Sequence, residues 1–161
     1  MKKPASAEKT NVMRLLDAAG IEYQTYCYAD SDAVSGMDVA RVLGQDPDQM
    51  FKTLVTVGKS RENYVFIIPS CEELDLRKAA SAVGEKNIEM LKSKELLPLT
   101  GYIHGGCSPI GMKKQFVTVL HETAMLFDTI IFSAGKIGYQ VQLSPEDLQK
   151  MIPYSYADVC V

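Results

Sequence analysis

Tryptophan is absent from the 161-residue chain, and histidine occurs only twice, as His104 and His121. Four cysteines stand at positions 27, 71, 107 and 160, with no CxxC pair among them. Neither set has the ligand spacing of a zinc site, so no bound metal is expected. Also missing is any run of about 18 apolar residues, the length that a membrane helix needs. No apolar stretch follows the basic start Met1-Lys2-Lys3, so the chain is expected to lack an export signal. The expected location is the cytoplasm, with the cysteines kept as thiols and no membrane partner. Positive charge is not in excess: the formal net charge is −3. A strong autonomous grip on nucleic acid draws on many Lys and Arg contacts to phosphate, so it is not expected here. A local basic patch or a partner protein would have to supply it.

What remains is an ordinary globular composition, 47% hydrophobic and 23% charged, in a length that suits one domain over residues 1–161. A first helix follows Thr10 as cap, with Val12, Leu15, Leu16 and Ala19 at helical spacing and Gly20 as its end. Ile21 to Tyr28 reads as a strand. Ser35 and Asp38 resemble a capping box for a second helix closed by Gly44. Phe51 to Val57 and Tyr64 to Ile68 flank a short polar loop and predict a hairpin. A helix over Leu74 to Val83, capped by Asp75, ends at Gly84. A short strand is expected at Asn87 to Leu91, then a short helix from Ser93 to Leu97 stopped by Pro98. Three more strands follow at Phe116 to Leu120, Thr129 to Phe132 and Tyr139 to Leu143. Ser144-Pro145 opens the last helix. Six to eight strands without regular βαβ alternation predict an α+β fold, with a mixed sheet curled into a barrel and flanked by helices. Phe51, Val55, Phe66, Ile67, Ile130, Ile131 and Val141 are the expected core, and His121 is expected at the surface.

Three segments could carry chemistry. In Gly105-Gly106-Cys107-Ser108-Pro109-Ile110-Gly111, the glycines let the backbone turn sharply and approach a ligand, so that several N–H groups can point at one oxygen. The same residues also suit a tight connection between strands, and the spacing is not that of a P-loop. Lys52 shares a face of its strand with Leu54 and Thr56, while Phe51, Thr53, Val55 and Val57 take the other. A lysine on such a face can bind phosphate or polarise a carbonyl; it can equally be a solvated edge residue. Ser133-Ala134-Gly135-Lys136-Ile137-Gly138 is a second small-residue turn, able to wall a pocket or simply to join two strands. The sequence has no Ser-His-Asp set. Cys107 beside His104 is a possible nucleophile–base pair, although no orienting Asp or Asn is evident nearby.

Together, the stretch Asp48 to Leu54, the stretch Gly101 to Gly111 and the stretch Ser133 to Gly138 resemble the YbaK family of aminoacyl-tRNA deacylases, which is related to the editing insertion of prolyl-tRNA synthetase. The likeness runs from the first helix to the last strand. It implies a mixed barrel with flanking helices, no cofactor, and the 3′ end of an aminoacyl-tRNA as substrate, with prolyl-tRNA synthetase as a possible partner. Lys52 matches the family's essential lysine, which contacts the terminal adenosine and the ester. The implied substrate-binding residues are Tyr28, Gly105, Gly106, Cys107, Ser108, Pro109, Gly111, Ser133, Gly135 and Gln140. Some members carry an acid where Gln140 stands, and Cys107 occupies a variable loop position.

The implied activity is removal of cysteine from Cys-tRNA(Pro), and from Cys-tRNA(Cys), by attack of the cysteinyl thiol on its own ester. The alternatives are deacylation of Ala-tRNA(Pro) or another small aminoacyl-tRNA, and a non-catalytic module that binds a tRNA end. Lys86, Lys92, Lys94, Lys113, Lys114 and Lys136 could form a basic rim, or simply a solvated surface.

Overall fold

The computed structural model describes residues 9–33 and 35–161. Five α-helices and eight strands alternate irregularly along the chain. Helix α1 (Asn11–Ala18) is capped by Thr10, whose side chain accepts the Met13 N–H. Strand β1 (Gln24–Cys27) is followed by α2 (Gly36–Leu43), where Ser35 accepts the Asp38 N–H and Gly44 ends the helix with φ +68°. A short 3-10 turn leads into β2 (Phe51–Gly58) and β3 (Asn63–Pro69), the expected antiparallel hairpin. Then come α3 (Leu76–Val83), β4 (Ile88–Met90), α4 (Ser93–Thr100), β5 (Val117–His121), β6 (Ile130–Ser133), β7 (Tyr139–Leu143), α5 (Pro145–Met151) and β8 (Ser155–Ala157). Asp75 caps α3 and Ser144 caps α5, as their sequence positions predict.

The α+β class holds, but the strands do not close into the expected barrel. Among the described residues they form two sheets, a three-stranded one in the order β1-β7-β6 and a five-stranded one in the order β4-β2-β3-β5-β8. An isolated parallel bridge between Met50 and Ile131 joins them. The reason lies in which faces are apolar. Val55, Val65 and Ile67 of the larger sheet meet Ile130, Phe132, Val141 and Leu143 of the smaller one in a shared core that also takes up Val12 and Leu16 of α1. The outer face of the larger sheet, with Phe66, Ile68 and Val119, is covered by Ala79 and Ala80 of α3. Ile131, on the outer face of the smaller sheet, packs with Val39 and Ala40 of α2. Both sheets thus bury both faces, and stacking satisfies them without closure. A fully buried Leu, Ile or Phe here contributes about 1.5–3 kcal/mol.

Four local expectations change. Strand β1 begins three residues later than the aromatic pattern implied. Helix α4 continues through Pro98 to Thr100; its last turn is held by the Thr100 hydroxyl, which donates to the Leu96 carbonyl at 2.8 Å, and by Gly101 at φ +87°. Strand β8 pairs in parallel with β5 although only three residues long. His121 is buried rather than exposed, and its Nδ1 accepts the Val159 N–H at 3.2 Å, which ties the C-terminal segment to β5. No helix among the described residues is long and apolar enough to cross a membrane.

Gly138 fixes where β1 ends. It has φ +93°, its carbonyl accepts the Tyr28 N–H at 2.8 Å, and a Cβ added there would lie 2.8 Å from the Ala29 Cβ and 2.9 Å from the Ala29 Cα. Gly138→Ala is therefore expected to destabilise the protein by about 2 kcal/mol or more, lowering the melting temperature by about 4 °C or more. An unchanged thermal melt would show that this contact is not a constraint.

Candidate functional site

The pairing of β2 leaves part of its edge open. The Ser70 N–H donates to the Met50 carbonyl, and the Leu91 N–H donates to the Val55 carbonyl. Backbone groups alternate along a strand, so those of Lys52 and Leu54 point to β3, while those of Phe51 and Thr53 point to the opposite side. On that side β4 pairs only with Thr56 to Gly58, and the Met50–Ile131 bridge lies at the start. Between them a cavity of about 410 Å³ opens along Met50 to Leu54.

Six further parts of the chain wall this cavity. Tyr28 comes from the end of β1, Gly36 and Val39 from α2, Ser70 from the residue after β3, and Leu96 from α4. His104, Gly105 and Cys107 come from the glycine loop, and Ser133 and Gln140 from paired positions on β6 and β7. Of the residues expected at a site, the fold brings together Lys52, Tyr28, Gly105, Cys107, Ser133 and Gln140. Two larger grooves, of about 830 and 840 Å³, lie beside β1 and beside β4. The smaller cavity is the better candidate because neutral polar groups and one lysine converge on it from distant segments.

The other loop residues do not line it. Ser108 is fully buried, and its hydroxyl accepts the Ile110 N–H at 3.3 Å. Gly106 donates its N–H to the Ile103 carbonyl at 3.0 Å, and a Cβ on it would lie 3.0 Å from the Ile137 nitrogen. Gly111 (φ +83°) and Gly135 (φ +92°) both crowd the Tyr102 ring, whose hydroxyl donates to the Ile110 carbonyl. Gly106, Ser108, Pro109, Gly111 and Gly135 are outside the cavity wall, and the amide cradle expected from the whole loop narrows to Gly105 and Cys107. Close approach of backbone to backbone accounts for Gly106, and a left-handed conformation for the other two glycines.

Lys52 is the only lysine or arginine in the wall, and among the described residues no carboxylate pairs with it. No Asp or Glu of the described residues lines the cavity. Gln140 is buried, and its Oε1 accepts from Gln45 Nε2 at 2.8 Å. Beside Lys52, the Thr53 hydroxyl is buried with no hydrogen-bond partner. Sequence reasoning missed Thr53, because alternation assigned it to the core face; the open edge of β2 is what leaves it beside the cavity. Ser70, Gly36 and Leu96 were missed too, and they reach the site only through tertiary packing. Burial pushes the Cys107 thiol up to about 12, so it is almost wholly protonated near pH 7. A buried, un-ionised thiol is a poor nucleophile, which weighs against the Cys107–His104 pair.

Residues 30–151 match the family model described as the aminoacyl-tRNA editing domain, and the chain belongs to that family. It is 46% identical over 160 residues, 99% of this chain and 98% of the relative, to an Enterococcus faecalis protein named "Putative Cys-tRNA(Pro)/Cys-tRNA(Cys) deacylase EbsC". A proline–tRNA ligase from Pelobacter propionicus is 33% identical over 91 residues, 56% of this chain and 16% of the ligase. A solved structure described as "a putative trans-editing enzyme for prolyl tRNA synthetase" superposes with a TM-score of 0.81 at 21% identity, covering 100% of this chain and 99% of that one. This last likeness is one of fold.

The state of Cys107 gives a direct prediction. Cys71 is exposed, whereas Cys107 is buried. With limiting iodoacetamide at pH 8, peptide mass spectrometry should find Cys71 alkylated at least about tenfold faster than Cys107. Faster labelling of Cys107 would return it to the list of possible nucleophiles.

Proposed function

We propose that this protein is a trans-editing deacylase that removes cysteine from Cys-tRNA(Pro), and also from Cys-tRNA(Cys), in the cytoplasm. One observation carries the reading: an unpaired Lys52 faces a cavity that takes in Gly105 and Cys107 of the glycine loop and has no carboxylate in its described wall. Ester hydrolysis by activated water ordinarily needs a general base. A cysteinyl ester brings its own nucleophile. Its thiol loses a proton to water, and the thiolate sulfur attacks the ester carbonyl carbon. The bond from that carbon to the ribose oxygen breaks, and the departing oxygen takes a proton from water. Cysteine leaves as a cyclic thiolactone, and the tRNA keeps its 3′-terminal hydroxyl.

The protein's part in this scheme is placement. Lys52 holds the adenosine end and adds positive potential where negative charge develops. Backbone at Gly105 and Cys107 borders the ester, while Tyr28, Ser133 and Gln140 bound the aminoacyl group and keep sulfur and carbonyl in reach of each other. Gly106, Ser108, Pro109, Gly111 and Gly135 act one step back, by shaping the two loops. With a net charge of −3, the chain depends on its local lysines, or on prolyl-tRNA synthetase as a partner, to retain the tRNA.

Lys52→Ala should lower kcat/KM for Cys-tRNA(Pro) deacylation by about 10²-fold or more, the size of effect that follows loss of a group stabilising developing charge. Lys52→Arg keeps the charge but changes its shape, and should retain part of the activity. Unchanged hydrolysis by Lys52→Ala would remove the lysine from the mechanism.

A further inference from the structure

The cavity's electrical character rests on a residue pair to which the scheme above assigns no role in charge. Gln140 projects from β7 on the face opposite Tyr139, Val141 and Leu143, which are buried in the shared core. It therefore faces the α2 side of the smaller sheet, and it is 6% exposed. Gln45, just past the Gly44 cap of α2, donates from Nε2 to Gln140 Oε1 at 2.8 Å. That bond takes up the amide oxygen and turns the amide's NH₂ end to the remaining space, where Gln140 borders the cavity beside Ser133. The second oxygen of the pair, Gln45 Oε1, is buried with no partner. The pair thus carries no net charge at a buried position where the hydrogen-bond geometry would equally suit a carboxylate accepting from Gln45.

The other titratable groups around the cavity are few. Lys52 comes from β2, His104 and Cys107 from the glycine loop, and Tyr28 from the end of β1. Residues from α2, α4 and β6 add no charge: Gly36, Val39, Leu96 and Ser133. Cys107 is a neutral thiol, as its burial requires. Lys52 is then the one fixed charge on the wall, and nothing of opposite sign lies in the described wall to cancel it. In a partly enclosed site a uniform positive potential favours an anion among the bound groups.

We propose that Gln140, oriented by Gln45, is a positioning residue that keeps the aminoacyl cavity free of negative charge, so that the substrate's thiol is bound in its ionised form. This inference rests on the deacylase reading above. Neutrality at position 140 sets how easily the attacking sulfur loses its proton. A carboxylate there would oppose the thiolate, and ionisation would then require a higher pH. The device is specific to a substrate that must ionise before it reacts.

The test is the pH dependence of single-turnover deacylation of Cys-tRNA(Pro), measured for the wild type and for Gln140→Glu, Gln140→Leu and Gln45→Leu. Gln140→Glu retains the acceptor for Gln45, so the local geometry has a reason to persist; thermal melts of each variant check folding. The midpoint of the rising limb should move up by about one pH unit in Gln140→Glu. Gln140→Leu, uncharged and of similar size, should lower the rate and leave that midpoint in place. Gln45→Leu should lower the rate several-fold, again without moving the midpoint. A midpoint in Gln140→Glu equal to that of the wild type, or an equal shift in Gln140→Leu, would overturn the role of charge at this position. A wild-type rate in Gln45→Leu would overturn the orienting role. If the wild type releases no cysteine at any pH, it is the deacylase reading that fails, not this inference.

Discussion

The parallel bridge between Met50 and Ile131 is the joint on which the site depends. It holds the start of β2, in the five-stranded sheet, against β6 of the three-stranded sheet. Two residues beyond Met50 stands Lys52, and two beyond Ile131 stands Ser133, which is paired across to Gln140. The bridge therefore sets one wall of the cavity against the other. It also ends quickly, and β4 does not meet β2 until Thr56, so the intervening backbone stays open to a ligand. A closed barrel would have paired that edge and filled the space. The departure from the expected barrel and the existence of the cavity thus share one cause, the stacking of two sheets whose outer faces are already covered by helices.

Much of the fold was legible because its signals are local. Thr10, Ser35, Asp75 and Ser144 cap the helices that their spacing announced, and the β2–β3 hairpin follows from two β-rich runs around a polar turn. Phe51, Val55, Phe66, Ile67, Ile130, Ile131 and Val141 are all buried as alternation required. What was not legible depends on distant partners. Strand β8 is three residues long, and exists as a strand only because β5 offers it an edge. The burial of His121 follows from the same docking, through its bond to Val159. Helix α4 outlasts Pro98 because Thr100 and Gly101 satisfy its end, a compensation that the residue before a proline does not advertise.

The candidate site divides along similar lines. Lys52 and Gly105 were visible as unusual residues in context, and the fold brings both to the cavity. Gly106, Gly111 and Gly135 share the same sequence signal, yet serve the packing of loops against Ile137 and Tyr102. Glycine content alone does not distinguish backbone that faces a ligand from backbone that faces another loop. Thr53 and the Gln45–Gln140 pair carried no sequence signal, since each gains meaning only from what lies across the gap. The resulting surface offers hydrogen bonds and one positive charge. That inventory suits a substrate able to supply its own nucleophile, and it limits the protein's contribution to geometry and potential.

The most direct test of that account is single-turnover deacylation of the same tRNA charged with cysteine or with serine, two side chains that differ by sulfur against oxygen. If the bound thiolate is the attacking group, cysteine should be released at least about 100-fold faster than serine, because a serine hydroxyl without a base does not ionise near neutral pH. Equal rates for the two would contradict the account and require a nucleophile that the enzyme itself activates.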